Sequence, residues 1–198
     1  YTLLNLSEAA QMFDGIQSAI SSKAGWFYIL TVNIILGFSI YLIFSKYGKI
    51  CIGGKDEKPE FTYFSWFSML FSAGMGIGLV FYSVAEPIYH YIAPPYGEGN
   101  SIESAKIAMQ YTFFHWGFHA WGIYAVLALA LAFFSFNRGL PLTIRSIFYP
   151  ILGEKIHSHI GNIIDITATV ATLFGLTTSL GLGVKQINAG LNHLFGVP

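Results

Sequence analysis

The sequence FSAGMGIGLVFYSVAEP, residues 71–87, decides how this chain folds. It lies inside a long apolar run, yet it carries Gly74, Gly76 and Gly78 in alternation. Lipid offers the backbone no hydrogen-bond partners, so a membrane helix that faces lipid keeps its ladder of hydrogen bonds intact. Alternating glycines weaken a helix and let another backbone, an ion or a ligand come close. They predict either a broken membrane helix that lines a binding site or a close contact between two unbroken helices.

The composition around this stretch is that of a membrane protein. Hydrophobic residues make up 54% of the 198 residues and charged residues only 10%, whereas a soluble domain carries about 25% charged residues. Ten basic residues balance ten acidic ones, so the charge gives no indication of nucleic-acid binding. The single cysteine, Cys51, leaves no partner for an internal disulfide. The chain begins without Met and without a signal-peptide pattern, and we expect it to be part of a longer protein.

Four apolar stretches predict four transmembrane helices, at about residues 26–45, 61–84, 108–136 and 161–182. Residues 1–24 are too polar to span and predict an amphipathic helix at the membrane interface. Seven of the ten Lys and Arg residues fall in the loops that follow the first and third spans. Since basic loops stay in the cytoplasm, the N-terminus is expected outside. The expected fold is an all-α, multi-pass protein of the cell membrane, with its second helix broken by glycine.

The third span opens with HWGFHAWGIY, residues 115–124. On a continuous helix, at about 100° per residue, the side chains of Trp116, Trp121 and Tyr124 share one broad face. Such rings can hold a quaternary ammonium by cation–π attraction, at roughly 0.5–2 kcal/mol per contact. Aromatic residues near a helix end are also typical of anchors at the membrane interface. The pattern therefore permits an aromatic cage without requiring one.

Two pairs of residues allow a different interpretation, a metal-dependent membrane enzyme. Glu86 and His90 are four residues apart, as are His115 and His119, and pairs at this spacing on a helix can bind metal. Pro87 is expected to interrupt the first pair, and the second pair is expected on the side of the helix opposite the aromatic face. Histidines that hydrogen-bond to neighbouring helices are the alternative.

Acidic and hydroxyl side chains near the spans are further candidates. Glu86 lies near a membrane boundary and is either a functional residue or a solvated group at a helix end. Asp165 lies near the start of the fourth span and is open to the same two interpretations. The fourth span is rich in Thr and Ser, whose oxygens suit a hard cation such as sodium. Such hydroxyls in membrane helices also bond to neighbouring carbonyl groups.

Five blocks of the sequence, in order, resemble the betaine/choline/carnitine transporter family. The resemblance extends from about Gly25 to the end. The blocks are KYGKICIG, KPEFTYFSWFSMLFSAGMGIGLVFYSVAEPIYHY, HWGFHAWGIYAVLALALAFF, RGLPLTIRSIFYPILG and ATLFGLTTSLGLGVKQINAGLNHLFGVP. Members of this family have twelve spans, ten of which form two inverted five-helix repeats. The resemblance implies that residues 1–198 are a partial transporter domain holding the family's second to fifth spans, and that the protein forms homotrimers.

The resemblance implies a substrate site at two places. In the third span it implies an aromatic box around the ammonium group, formed by Trp116, Trp121 and Tyr124. In the unwound segment it implies contacts to the substrate from Gly74, Met75, Gly76 and Gly78.

The resemblance also implies sodium as the coupling ion, with no other cofactor. The backbone carbonyls of Ala73 and Met75 would coordinate one sodium ion. Thr172 matches one ligand of a second sodium site found in some members. Leu176 stands where those members have a second threonine, and an aliphatic side chain cannot bind an ion.

The function implied is therefore a sodium symporter that imports glycine betaine or a related quaternary-ammonium osmolyte across a lipid membrane. Members similar to proton-coupled choline carriers tend to carry Asp at the position of Gly78, so the glycine favours betaine. The alternative within the family is a proton-coupled or exchanging carrier of choline or carnitine. The alternative from another class is the metal-dependent enzyme, which would use Glu86, His90, His115 and His119.

Overall fold

The computed structural model describes residues 5–54, 57–74 and 76–196, and these residues form helices joined by loops. Eight α-helices occur in these ranges: α1 Leu6–Phe44, α2 Tyr63–Gly74, α3 Ile77–Ile92, α4 Ile102–Trp116, α5 Phe118–Ala132, α6 Ile144–Ile147, α7 Tyr149–Leu152 and α8 His159–Phe195. Short stretches of other helix types follow three of them: 3₁₀ turns at Lys46–Lys49 and Gly153–His157, and a π-helical turn at Phe133–Asn137.

Three helical stretches among the described residues are long and apolar enough to cross a membrane. They are Leu6–Phe44, Ile102–Asn137 and His159–Phe195, and they contain the first, third and fourth predicted spans. The second predicted span, residues 61–84, is divided between α2 and α3. The 12 residues of α2 extend about 18 Å, less than the roughly 30 Å of a bilayer's hydrocarbon core. The chain is thus a helical membrane protein, and its crossing by four spans remains a prediction.

The first helix holds both the predicted interfacial segment and nearly all of the first predicted span, and the division of its length between interface and membrane stays a prediction. α1 runs without interruption for 39 residues and ends where the Ser45 N–H donates to the Tyr41 carbonyl, at 2.9 Å. Gly15 and Gly25 lie within it because an isolated glycine costs a helix only about 1 kcal/mol. Polar residues near the start of α1 therefore change the character of the helix without ending it.

The break expected from the glycines lies between α2 and α3. α2 ends at Gly74, α3 begins at Ile77, and Gly76 precedes it in an extended conformation with φ −64° and ψ 167°. α3 then continues through Pro87 to Ile92, so the prediction that Pro87 interrupts the segment from residue 86 to residue 90 is wrong. A proline inside a helix removes one hydrogen bond, and membrane helices tolerate this where neighbouring groups compensate.

The chain divides into two compact units, and the first combines Tyr1–Lys49 with Gly117–Val126. Here α1 meets the beginning of α5 at Gly122, which is buried. A Cβ atom added to Gly122 would lie 3.6 Å from the Cα of Leu36. Small residues let membrane helices approach closely, and Gly122 serves this purpose.

The second unit combines Ile50–Trp116 with Leu127–Pro198. In it, α3 packs against α4 and α8. Loop 93–101 reverses the chain between α3 and α4, with Gly97 at φ 80° and Asn100 at φ 56°. Gly99 lies directly against the Ile92 carbonyl, where a Cβ would collide with it.

The short helices that precede α8 are tied to it by an ion pair. Arg145 of α6 donates from Nε to Asp165 Oδ2 at 2.5 Å and from its backbone N–H to Oδ1 at 2.9 Å. Its Nη1 donates to the Ile156 carbonyl at 3.3 Å. Gly161 lets this carbonyl lie against the first turn of α8, because a Cβ there would collide with it. Asp165 is therefore a structural partner of Arg145.

Candidate functional site

A buried carboxylate forms the centre of the best-defined polar cluster in the second unit. Glu86 of α3 is only 7% exposed, and Trp116 donates from its indole Nε1 to Glu86 Oε2 at 2.7 Å. The Nδ1 atom of His115 lies 2.9 Å from both carboxylate oxygens. The Nε2 atom of His90 lies 3.5 Å from Oε1, one turn along α3. We call these four residues the Glu86 cluster.

The packing of α3 against α4 brings these side chains together. His115 and Trp116 are the last two residues of α4, and adjacent residues on a helix are about 100° apart. The prediction that His115 points away from the aromatic face of Trp116 is wrong, because both side chains are long enough to converge on one acceptor. The interpretation of Glu86 as a solvated helix-end group is also wrong, since α3 continues beyond it.

The chemistry of the cluster follows from the burial of its acid. A carboxylate oxygen can accept a hydrogen bond from Trp116 Nε1 and, when the Nδ1 atom of His115 carries a proton, from His115 as well. Hydrogen bonds to an ionised acceptor are about twice as strong as neutral ones. They offset the high cost of placing a charge in a membrane protein's interior. The cluster therefore fixes the orientation of each side chain that contributes a donor.

The ring of Trp116 lies beside the glycine-rich start of α3. A Cβ added to Gly78 would lie 3.9 Å from Cη2 of the Trp116 ring. The ring of Tyr82, one turn further along α3, has its centroid 6.2 Å from that of Trp116. Two of the residues implied in substrate binding, Gly78 and Trp116, are thus in the same place.

The other two aromatic candidates lie on α5. The rings of Trp121 and Tyr124 pack on each other with centroids 5.7 Å apart and planes inclined by 42°. Both are exposed, at 46% and 69%. Their predicted angular relation to Trp116 assumed one continuous helix, and this assumption fails because the helix is interrupted at Gly117. Trp116 belongs to one compact unit, and Trp121 and Tyr124 belong to the other.

The residues implied in sodium binding lie around the helix break. Ala73 and Gly74 are the last two residues of α2, and the final carbonyl groups of a helix have no partner within it. Such carbonyls carry the negative end of the helix dipole, which favours a cation. Met75 lies outside the described residues, so its predicted contacts to substrate and sodium stay predictions.

Thr172, the candidate for a second sodium site, lines an open groove of about 440 Å³. Its hydroxyl donates to the Ala168 carbonyl at 2.8 Å, which leaves the oxygen lone pairs as acceptors. Leu176 lines the same groove, where resemblance to some members would have placed another oxygen. The remaining residues that line the groove are Leu142, Thr143, Ile144, Asp165, Ala168, Thr169 and Leu173.

A metal centre is absent from residues 5–54, 57–74 and 76–196. No group of three or more His, Cys, Asp or Glu side chains in these ranges is arranged to hold a metal ion. Glu86, His90 and His115 do meet: His115 is hydrogen-bonded to the carboxylate, and His90 Nε2 lies 3.5 Å from it. His119 lies on α5, in the other unit. The metal-dependent enzyme therefore has no site in the described part of the chain.

The hydrogen bond between Trp116 and Glu86 is the contact in the candidate site that the sequence alone does not reveal. The two residues are 30 positions apart, and their contact depends on the packing of α3 against α4. The sequence does mark Glu86 as a candidate, because an ionisable residue in or near a membrane helix is a functional candidate by default. The sequence also does not predict the group of rings beside the Glu86 cluster. In this group the ring centroid of Tyr111 lies 5.4 Å from that of His90 and 6.4 Å from that of Tyr96.

Comparison with known proteins identifies the family. The whole chain, residues 1–198, matches the betaine/carnitine/choline family transporter, BCCT. It is 54% identical over 198 residues to the glycine betaine transporter OpuD of Bacillus subtilis, covering 100% of this chain and 38% of the relative. It is 49% identical over 189 residues to a probable glycine betaine transporter of Desulfitobacterium hafniense, covering 96% and 38%. It is 46% identical over 179 residues to the high-affinity choline transport protein of Escherichia coli, covering 90% and 26%.

The chain thus spans little more than a third of the length of the glycine betaine transporters that it matches. The match nevertheless runs along the whole of this sequence and includes the break between α2 and α3 and the Glu86 cluster. The family model and these relatives are named for transport, and they give no support to the metal-dependent enzyme. The chain belongs to the betaine/carnitine/choline transporter family.

Proposed function

We propose that the complete protein imports glycine betaine, or a closely related quaternary-ammonium osmolyte, together with sodium. One observation carries the proposal: the indole of Trp116, held by a buried carboxylate, lies beside Gly78 just after a break in a membrane helix. Broken helices at membrane depth form the substrate sites of many secondary transporters. An aromatic face at this point suits the trimethylammonium group of a betaine.

The start of α3 supplies the complementary half of a zwitterion site. The first N–H groups of a helix carry the positive end of the helix dipole and have no partner within the helix. Gly76, which precedes α3, brings no side chain to cap them. We assign the carboxylate of the substrate to this end of α3, with Gly76 and Gly78 leaving room for it and Gly74 and Met75 next to it in the chain.

The end of α2 is assigned to the co-transported sodium ion. The backbone carbonyls of Ala73 and Met75 would serve as ligands, as the resemblance to the family implies. Helix C-terminal ends coordinate sodium in transporters with broken helices. If sodium occupies this position only in the substrate-binding state, each ligand raises the affinity for the other by the same factor. Thr172 is assigned as a ligand of a second sodium ion. Leu176 supplies no oxygen at the position where some members of the family have a second threonine ligand.

The exposed rings of Trp121 and Tyr124 are proposed as further contacts to the ammonium group. Their support is the resemblance to the family and their mutual packing. Replacing Trp121 by Ala should raise the betaine concentration needed for half-maximal uptake by about tenfold, as expected for the loss of one strong cation–π contact. Unchanged affinity would contradict this assignment.

Homotrimers in the lipid bilayer are likewise proposed from the family resemblance.

Choline transport is the second candidate, because proteins named as choline transporters are 45–46% identical to this chain. Choline shares the quaternary ammonium but lacks the carboxylate. A carrier of choline would not need an anion site at the start of α3. Competition between the two compounds therefore separates the candidates.

The decisive experiment is uptake of radiolabelled glycine betaine by the complete protein in liposomes, with and without an inward sodium gradient. The proposal expects uptake that requires sodium and that excess unlabelled betaine suppresses more than excess choline does. A control with potassium replacing sodium keeps ionic strength constant. Betaine uptake that is indifferent to sodium would contradict the symport mechanism, and preferential uptake of choline would contradict the substrate.

A further inference from the structure

We propose that Glu86 is a positioning residue for substrate binding, acting through Trp116. Its carboxylate holds the indole ring beside Gly78 and strengthens the attraction of that ring for the substrate's cation. The inference rests on the proposed function, because it assigns a role to Glu86 in the binding of a quaternary ammonium.

Because Trp116 lies at the end of α4, a contact from outside this helix is needed to fix the orientation of its ring. Trp116 is the last residue of α4, and the helix is interrupted at Gly117 directly after it. A side chain at a helix end has fewer neighbouring turns to pack against than one in the middle. The 2.7 Å bond from Nε1 to Glu86 links the ring to α3, the helix that also carries Gly78. This bond therefore fixes the position of the Trp116 ring relative to Gly78.

The charge of Glu86 also affects the ring itself. An indole N–H that donates to an anion becomes more polarised than one that donates to a neutral group, because hydrogen bonds to ionised acceptors are stronger and polarise their donors. The electron density that moves into the ring makes its face more negative. Cation–π attraction depends on that negative face, so an ionised Glu86 raises the affinity of Trp116 for a cation.

Glu86 is arranged to act through Trp116 and not as a direct counter-charge for the substrate. Both carboxylate oxygens have donors from the protein, since Nδ1 of His115 lies 2.9 Å from each. His90 adds a third nitrogen at 3.5 Å. Burial of all but 7% of the residue leaves little surface for a ligand. His115 is hydrogen-bonded to the carboxylate, and the carboxylate accepts the hydrogen bond from Trp116.

The first test is Glu86→Gln in the complete protein, with glycine betaine binding measured in detergent and uptake measured in liposomes. Glutamine keeps the size of the side chain and removes the charge. We expect the Kd and the KM for betaine to rise about tenfold, the difference between a charge-assisted and a neutral hydrogen bond, with little change in the maximal rate. Glu103→Gln is the matched control, because Glu103 is an exposed carboxylate on α4 whose only described ion pair is 3.9 Å from Lys106.

A double-mutant cycle then asks whether Glu86 acts through Trp116. Trp116→Phe keeps an aromatic ring but has no N–H to donate. In the Trp116→Phe background we expect Glu86→Gln to cause no further loss of affinity, because the effects of two residues that act as one unit are not additive. An equal loss in both backgrounds would overturn the inference.

A spectroscopic readout separates this inference from the proposed function. The ¹H–¹⁵N signal of the Trp116 indole, assigned by its loss in Trp116→Phe, should shift in Glu86→Gln and stay in place in Glu103→Gln, without any substrate present. Normal betaine binding by the wild-type protein together with an unshifted indole signal in Glu86→Gln would contradict the inference alone. Failure of the wild-type protein to bind betaine would contradict the proposed function and, with it, the role of Glu86 in substrate affinity.

Discussion

At the scale of single residues, Gly78 sets the space beside the ring of Trp116. A methyl group at this position would lie 3.9 Å from Cη2 of the ring, an ordinary contact distance, whereas a larger side chain would need the space that the ring occupies. We expect Gly78→Leu to weaken betaine binding by about tenfold or more, since overpacking costs roughly 1–3 kcal/mol. Binding of betaine to the purified complete protein measures this.

Gly78→Ala is the control for this prediction, and it should keep affinity within about threefold because Cβ alone meets no atom too closely. Equal losses in both variants would show that backbone freedom at residue 78, and not space beside Trp116, is what matters. Sequence reasoning singled out Gly78 and Trp116 separately. It could not join them, because their contact requires α3 and α4 to pack in one particular register, which local spacing does not specify.

At the scale of helices, α1 meets α5 at Gly122 in the first unit. A Cβ at this position would make an ordinary contact of 3.6 Å with the Cα of Leu36, so the further atoms of a leucine side chain would overpack the contact with α1. We expect Gly122→Leu to lower the free energy of unfolding of the complete protein by about 1–3 kcal/mol, seen as a lower midpoint of thermal unfolding in detergent. Gly122→Ala should change the midpoint little, and a midpoint unchanged in both variants would refute the close packing.

The helices also show which parts of the fold local sequence can specify. The alternating residues Gly74, Gly76 and Gly78 predict the break between α2 and α3, because glycine weakens the helix at its own position in the backbone. Pro87 and Gly117 show the limit of such reasoning. α3 continues through Pro87 although proline disfavours the interior of a helix, and the helix is interrupted at Gly117 although α1 continues through Gly15 and Gly25. The surrounding structure can therefore override the intrinsic helix preference of a residue.

At the scale of the whole molecule, one ion pair joins the short helices of residues 144–157 to α8. Arg145 and Asp165 have side chains only 23% and 20% exposed, so loss of one partner leaves a poorly solvated charge. We expect Arg145→Ala to lower the free energy of unfolding by about 1.5–3 kcal/mol, the range for hydrogen bonds to charged groups. Arg138→Ala is the control, because Arg138 is exposed and lies over the Phe133 ring at 5.6 Å.

Asp165→Ala in the Arg145→Ala background should then cost less than it does alone, because the carboxylate has already lost its partner. Full additivity in thermal unfolding would show that the pair is not coupled. The sequence predicts that Arg145 lies in a basic loop and Asp165 near the start of a helix, but it does not predict that the two residues form an ion pair. The membrane class and the family were evident from composition and motifs, while long-range pairs of this kind depend on the assembled molecule.

The buried carboxylate of Glu86 has a consequence for how the protein enters the bilayer during synthesis. An acidic residue raises the free energy of inserting a membrane helix, by up to about 2.5–3.5 kcal/mol at the helix centre, and the partners His115 and Trp116 arrive only with α4. Because loop 93–101 connects the two helices directly, α3 and α4 can leave the translocon together as one hairpin in which the acid already has its hydrogen-bond partners. We therefore expect truncation of the nascent chain before residue 115 to leave α3 poorly inserted, and glycosylation mapping of ribosome-bound intermediates would reveal it.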